Sequence, residues 1–295
     1  MLRITLSLLV LAGTVVVCFS ESAHSQEVLT QFLNDKQIKA DLNRYGRKML
    51  KDEDSLDGET LKRLLAECDL TAQVDLINER SSMDAAAARK KCFQATVVIG
   101  MHYDCGKCSR VHLATSGGVL INEDGLILTN HHVVEHEAPV TMVAMTMDGE
   151  VFPVVDILAA NEANDTALIK IQGDRPFPFV KISESTPFPA DETLLVSHPQ
   201  SHFYTSSIGT VSRYSARTSS DGQKQKWMEI TNEFCRGSSG CGVFNSSGEL
   251  VGLVSRKSTM GSPTADKDGS QEKMQPMTVF RCVPLQSIME LLDLR

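Results

Sequence analysis

From Cys92 to Val283 the chain is a succession of short β-rich runs broken at close intervals by Gly, Asp and Pro, and this pattern narrows the fold more than any other feature. Strand-like runs fall at 94–100, 118–121, 126–128, 140–145, 167–171, 194–197, 207–214, 226–231, 242–244, 250–255 and 277–283. Turns such as Glu123-Asp124-Gly125, Asp148-Gly149 and Ser246-Ser247-Gly248 separate them. Short strands at regular spacing must close into barrels or pack as a sandwich to cover their apolar faces. Residues 258–275 read as a long polar loop without periodicity, and no internal repeat is present. The last stretch, 285–294, carries Leu285, Ile288, Leu291 and Leu292 at helical spacing and reads as a short amphipathic helix.

The N-terminal third is different. Met1-Leu2-Arg3 precedes an apolar run over 4–19 and a polar turn at Ser20, which predicts a signal peptide over 1–25 and an exported product, periplasmic or secreted. A lipid anchor on Cys18 fits poorly, because Val17 is larger than the small residue expected there. Residues 26–91 are charged, rich in Leu and Ala, and nearly free of strand character. Ile38, Leu42, Tyr45 and Met49 share one helical face, as do Leu61, Leu64, Leu65 and Cys68. This helical prefix reads as a packing module or spacer in preference to a lid over a cleft. A net charge of −8 argues against a nucleic-acid role, which needs a concentrated basic face. No second apolar run is long enough to cross a membrane, so no stable insertion is expected once the signal is removed. Of the eight cysteines, one lies in the signal, which leaves an odd number in an oxidising compartment.

Three fragments carry chemistry: Gly237-Ser238-Ser239-Gly240, Thr129-Asn130-His131-His132-Val133-Val134 and Asn164-Asp165-Thr166-Ala167-Leu168-Ile169. A serine hydroxyl is inert at neutral pH unless an imidazole takes its proton and a carboxylate fixes that imidazole's tautomer. A G-x-S-G alone recurs by chance. Three fragments in His, Asp, Ser order, each beside a strand-like run, are a far more specific signal. His131 competes with His132 as the base, Asp156 more weakly with Asp165, and Ser238 stands next to Ser239.

These residues resemble the HtrA (Deg) group of trypsin-like, chymotrypsin-fold serine proteases. The matching stretches are Ser116-Gly117-Gly118-Val119-Leu120-Ile121, Asp124-Gly125-Leu126-Ile127-Leu128-Thr129-Asn130-His131-His132-Val133-Val134, Asp165-Thr166-Ala167-Leu168-Ile169-Lys170-Ile171 and Gly248-Glu249-Leu250-Val251-Gly252. The resemblance implies a mainly β fold of two six-stranded antiparallel β-barrels. Barrel one would cover about 92–187 and barrel two about 188–284, with the C-terminal helix closing a protease domain of 92–295. It implies His132 as the base, since the group's imidazole directly precedes Val-Val, with Asp165 as its orienting carboxylate and Ser239 as the nucleophile. The backbone amides of Gly237 and Ser239 would form the oxyanion hole. No metal and no organic cofactor is implied, the partners are protein or peptide substrates, and the oligomeric state stays open. A non-catalytic, chaperone-like binding protein on the same scaffold is the alternative.

Several positions depart from the group's pattern. Ser238 stands where many digestive relatives carry the aspartate of zymogen activation. A C-terminal PDZ domain is not expected beyond Arg295. Cys241 and Gly242 replace the usual Gly-Pro. The resemblance makes Cys235 a disulfide candidate with Cys282, or with Cys241. Glu233, Arg236 and Ser255 are the candidate substrate-pocket residues, with Glu233 favouring basic side chains while Arg236, Arg256 and Lys257 favour acidic ones. Outside the group's pattern, His102, Cys105, Cys108 and His112 invite a zinc reading. All four lie within so short a stretch that a Cys105–Cys108 disulfide is the favoured expectation.

Overall fold

Among the described residues three helices precede the first strand, and each begins where a side chain can take up the free amides of a first turn. In α1 (Asp35–Met49) the Asn34 side chain accepts from the Gln37 N–H, and in α2 (Gly58–Glu67) Asp57 does the same for Thr60. Asp84 caps α3 (Ala85–Ala95) through the Ala86 and Ala87 amides. The computed structural model describes residues 32–50, 56–74, 84–218, 222, 224–260 and 277–294. The signal-peptide reading of 1–25 and the polar loop beyond Met260 lie outside the described residues.

The prefix buries the stripe its spacing predicts. Leu42, Met49 and Leu61 are buried, and Ile38, Tyr45, Leu64, Leu65 and Cys68 pack half-buried around them. The helices lie on the first barrel: α1 against β1 (Thr96–Asp104), β4 (Pro139–Met145) and β5 (Val151–Asn161), and α2 against β4 and β5. The described residues from Leu33 onward form one compact unit. This explains why β1 is buried from Thr96 through His102 without alternation, because both of its faces are covered. The helical stretch also runs further than the sequence suggested. Residues 94 and 95 belong to α3, and the Thr96 hydroxyl closes it by donating to the Cys92 carbonyl.

The strands form two closed six-stranded antiparallel barrels. The first runs in the order β1, β2 (Val111–Leu120), β3 (Leu126–Thr129), β6 (Thr166–Ile171), β5, β4. The second runs β10 (Gly242–Phe244), β11 (Leu250–Met260), β12 (Met277–Pro284), β9 (Lys224–Ile230), β8 (Thr205–Thr218), β7 (Glu192–Ser197). The strand β5 is absent from the sequence reading. It contains Pro153 and two register shifts, which break the alternation that marks a strand. The second barrel is filled by Leu195, Val211, Met228, Ile230, Val243, Val251, Val254 and Cys282. A single helical turn, α4 (His131–Val134), follows β3, and after β12 helix α5 (Leu285–Leu291) buries Leu285, Ile288 and Leu291 against both barrels. Among the described residues no helix is long and apolar enough to cross a membrane.

Candidate active site

Strand pairing brings the first two candidate residues together. Thr129, at the end of β3, pairs with Ala167 near the start of β6. His132 follows three residues after the former and Asp165 stands two before the latter, so both emerge at the same end of the barrel. A single helical turn, α4 (His131–Val134), lifts His132 off the strand, and the Asn130 side chain donates to the Asp165 carbonyl at 3.0 Å. His132 Nδ1 lies 2.8 Å from Asp165 Oδ1, and the His132 backbone N–H approaches the same oxygen at 3.3 Å. His131 instead faces Glu135 at 3.7 Å, and Asp156 lies on β5 opposite Lys170. Asp165 itself has a φ of 53°, a left-handed conformation open to aspartate. Burial pushes its carboxyl upward, but hydrogen bonds and charge from His132, with a bond from Ser255, outweigh that and hold it below the ordinary range.

The third residue arrives from the second barrel on a tight turn. The Gly117 N–H of β2 donates to the Ser239 carbonyl at 2.8 Å, and Gly240 N–H donates to Val254. Gly117 has to be glycine, since a Cβ there would meet the Cys241 sulfur at 2.1 Å. The Ser239 hydroxyl rests 3.5 Å from the Ser255 carbonyl, while the Ser255 hydroxyl donates to Asp165 Oδ2 at 2.5 Å. One residue of β11 thus joins the carboxylate of the first barrel to the serine of the second.

The backbone of the turn is held from outside. The Arg236 carbonyl accepts the Gln200 N–H at 2.7 Å. Because the peptide bond is trans, that anchor aims the Gly237 N–H the opposite way. Gly237 takes a φ of 98°, and a Cβ would lie 2.6 Å from the His198 carbonyl. Among the described residues neither the Gly237 nor the Ser239 amide donates a hydrogen bond, so both remain available to an oxyanion.

Residues 115–253 match the family described as "Trypsin-like peptidase domain". The chain carries a trypsin-like peptidase domain. Its relatives include the serine endoprotease DegS of Escherichia coli K12, 24% identical over 225 residues that cover 76% of this chain and 60% of DegS. A probable periplasmic serine protease (do/HhoA-like) of Haemophilus influenzae is 28% identical over 50% of this chain and 32% of its own length. The putative protease Do-like 14 of Arabidopsis thaliana is 32% identical over 46% and 34% respectively. The chain therefore spans no more than about 60% of the length of these relatives.

Within the peptidase domain the pocket candidates separate. Glu233 is exposed and makes no ion pair among the described residues. Arg236 is exposed and contributes its carbonyl to Gln200, whereas Arg256 stacks its guanidinium over Trp227 at 4.7 Å. Ser255, expected in the pocket, turns its buried side chain to Asp165 instead. Ser238 is buried with its hydroxyl unpartnered among the described residues.

A loop behind the turn adds buried contacts. His198 is fully buried, its Nε2 lies 3.1 Å from the Val97 carbonyl of β1, and its Nδ1 accepts the Tyr204 N–H. Desolvation lowers its pKa to about 4, so it is neutral, with the proton on Nε2. Gln200, Ser201 and Tyr204 all have positive φ, which concentrates backbone strain in 198–204. Asp35 of α1 steadies this loop by accepting the Phe203 N–H at 3.1 Å. No pattern in the sequence marks these contacts.

The cysteines of the described residues are all free thiols. Cys235 is half-buried, while Cys241 and Cys282 are fully buried, and burial pushes both of their thiols upward. Cys105 and Cys108 hold their sulfurs 3.6 Å apart, against about 2.05 Å for a disulfide. His102 does not join them, because it is buried against Gly46 of α1.

Proposed function

We propose that this protein is an exported serine endopeptidase that hydrolyses peptide bonds of unfolded or partly folded proteins, in a protein quality-control role. The observation that carries the reading is the unbroken path His132–Asp165–Ser255–Ser239 across the two barrels. Asp165 accepts the Nδ1 proton of His132, which leaves Nε2 as the acceptor a general base needs. On substrate binding the Ser239 hydroxyl exchanges the Ser255 carbonyl for His132 Nε2. It then attacks the scissile carbonyl while the imidazole takes its proton. The same imidazolium protonates the leaving amine, and water releases the acyl group by the reverse sequence. The Gly237 and Ser239 amides stabilise the developing oxyanion, each such donor being worth about 10²–10³ in rate. The chemistry uses protein groups alone.

Export is supported by the charged and apolar start of the chain and by the periplasmic relative. The test is turnover of fluorescently labelled casein, beside Ser239→Ala. Turnover by the wild type, lost in the variant, supports the endopeptidase. Equal turnover in both assigns the activity to another nucleophile, and none in either favours a non-catalytic binding scaffold.

A further inference from the structure

The β1–β2 hairpin extends beyond the barrel, and its tip carries chemistry that the peptidase reading does not use. Cys105 and Cys108 stand at the turn, and His112 sits at the start of the returning strand. Cys108 Sγ lies 3.2 Å from His112 Nε2 and 3.6 Å from Cys105 Sγ, and the three donor atoms all fall within 4.8 Å of one another. A tetrahedral zinc ion with Zn–S of ~2.3 Å and Zn–N of ~2.05 Å sets its ligand atoms ~3.8 Å apart for S···S and ~3.6 Å for S···N. The two spacings that Cys108 makes come within a few tenths of an ångström of those edges, and the third pair, Cys105 and His112, lies within 4.8 Å. We propose that Cys105, Cys108 and His112 form a binding site for one divalent zinc-class metal ion, with its fourth position open to solvent.

The surroundings support coordination. Gly106, with a φ of 65°, turns the loop, and its N–H donates to Asp104 Oδ1, so the two thiols face the same side. The His112 ring stacks on Tyr103 at 5.5 Å, and Tyr103 packs in turn on His136, which limits the rotation of the imidazole. Binding releases the two thiol protons to solvent. Two thiolates and a neutral imidazole then balance the ion's charge. The short loop that argued against zinc would have to wrap the ion on four sides. Three ligands and an open position need only one face, and His102 is not required.

The test titrates reduced, metal-free full-length protein with Co(II), followed by displacement with Zn(II). The proposal expects one equivalent of cobalt, a sulfur-to-cobalt charge-transfer band and the strong visible bands of four-coordinate cobalt, all abolished by Zn(II). Cys108→Ser should weaken the band, replacing Cys105 and Cys108 together should remove it, and His112→Ala should weaken Zn(II) binding about tenfold or more. Ser239→Ala, outside the site, should bind as the wild type does. The ligand variants lie on an exposed hairpin tip, and far-ultraviolet circular dichroism checks that they remain folded. Unchanged cobalt spectra in Cys108→Ser would place the metal on other thiols and overturn the site. So would a Cys105–Cys108 disulfide, without metal, in protein isolated without reductant. These readouts do not depend on peptidase activity.

Discussion

His102 is fully buried between β1 and α1, with both ring nitrogens unpartnered among the described residues. Desolvation, assisted by the nearby Arg47 charge, lowers its pKa to about 4 from an ordinary 6.5. The folded state therefore refuses a proton that the unfolded chain accepts, and stability falls as pH drops from 6.5 towards 4. At about 1.4 kcal/mol per pH unit inside that window, acidification from pH 7 to pH 5 costs roughly 2 kcal/mol for this one group. His198 is lowered to the same value and adds a similar amount, for about 4 kcal/mol in the wild type. His102→Leu removes half of that loss. It should also be at least as stable at pH 7, because two unsatisfied polar atoms leave the interior. Urea unfolding followed by fluorescence of Trp227, the single and buried tryptophan, measures both. An unchanged loss of stability between pH 7 and 5 in His102→Leu would refute the reasoning.

Three further perturbations test the site. Ser255→Ala deletes the hydroxyl on Asp165, a bond to a charged group worth about 1.5–3 kcal/mol, so kcat/KM on a peptide substrate should fall roughly 10- to 100-fold. No change would remove Ser255 from the site. Asp35→Ala frees the Phe203 amide and loosens 198–204, with about 1 kcal/mol at stake, so casein turnover should slow about fivefold while the melting temperature barely moves. Turnover at the wild-type rate would show that α1 does not steady the turn. Gly117→Ala drives a methyl into the Cys241 sulfur and should destabilise by about 1–3 kcal/mol. Adding Cys241→Ala should recover most of it, and purely additive losses in the cycle would contradict that contact.

Much of the architecture could be read from the sequence where local pattern and tertiary demand agreed. The helical stripe of Leu42 and Met49, the runs at 126–128 and 167–171 and the closing helix at Leu285 all reflect burial of one face. β5 was hidden because Pro153 and its bulges erase the alternation. The start of β1 is masked because Cys92, Phe93 and Ala95 at the end of α3 run directly into its apolar residues. The meeting of His132 with Asp165 follows from fragments that flank paired strands. The bond from Ser255 to Asp165 was not legible because a serine on a strand has no signature of its own. Its role exists only once β11 passes between Asp165 and Ser239. The His198 loop was invisible for the same reason, since its partners lie on β1 and α1, far away in sequence.

Active-site labelling is the most direct measurement. A fluorophosphonate probe reacts with a hydroxyl only when an imidazole has readied it and amides receive the oxyanion. A single adduct mapped to Ser239 is expected, disappearing in folded His132→Ala and strongly slowed in folded Asp165→Ala. An adduct on any other residue, or undiminished labelling of Ser239 without His132, would contradict the assembly of one reaction centre from two barrels.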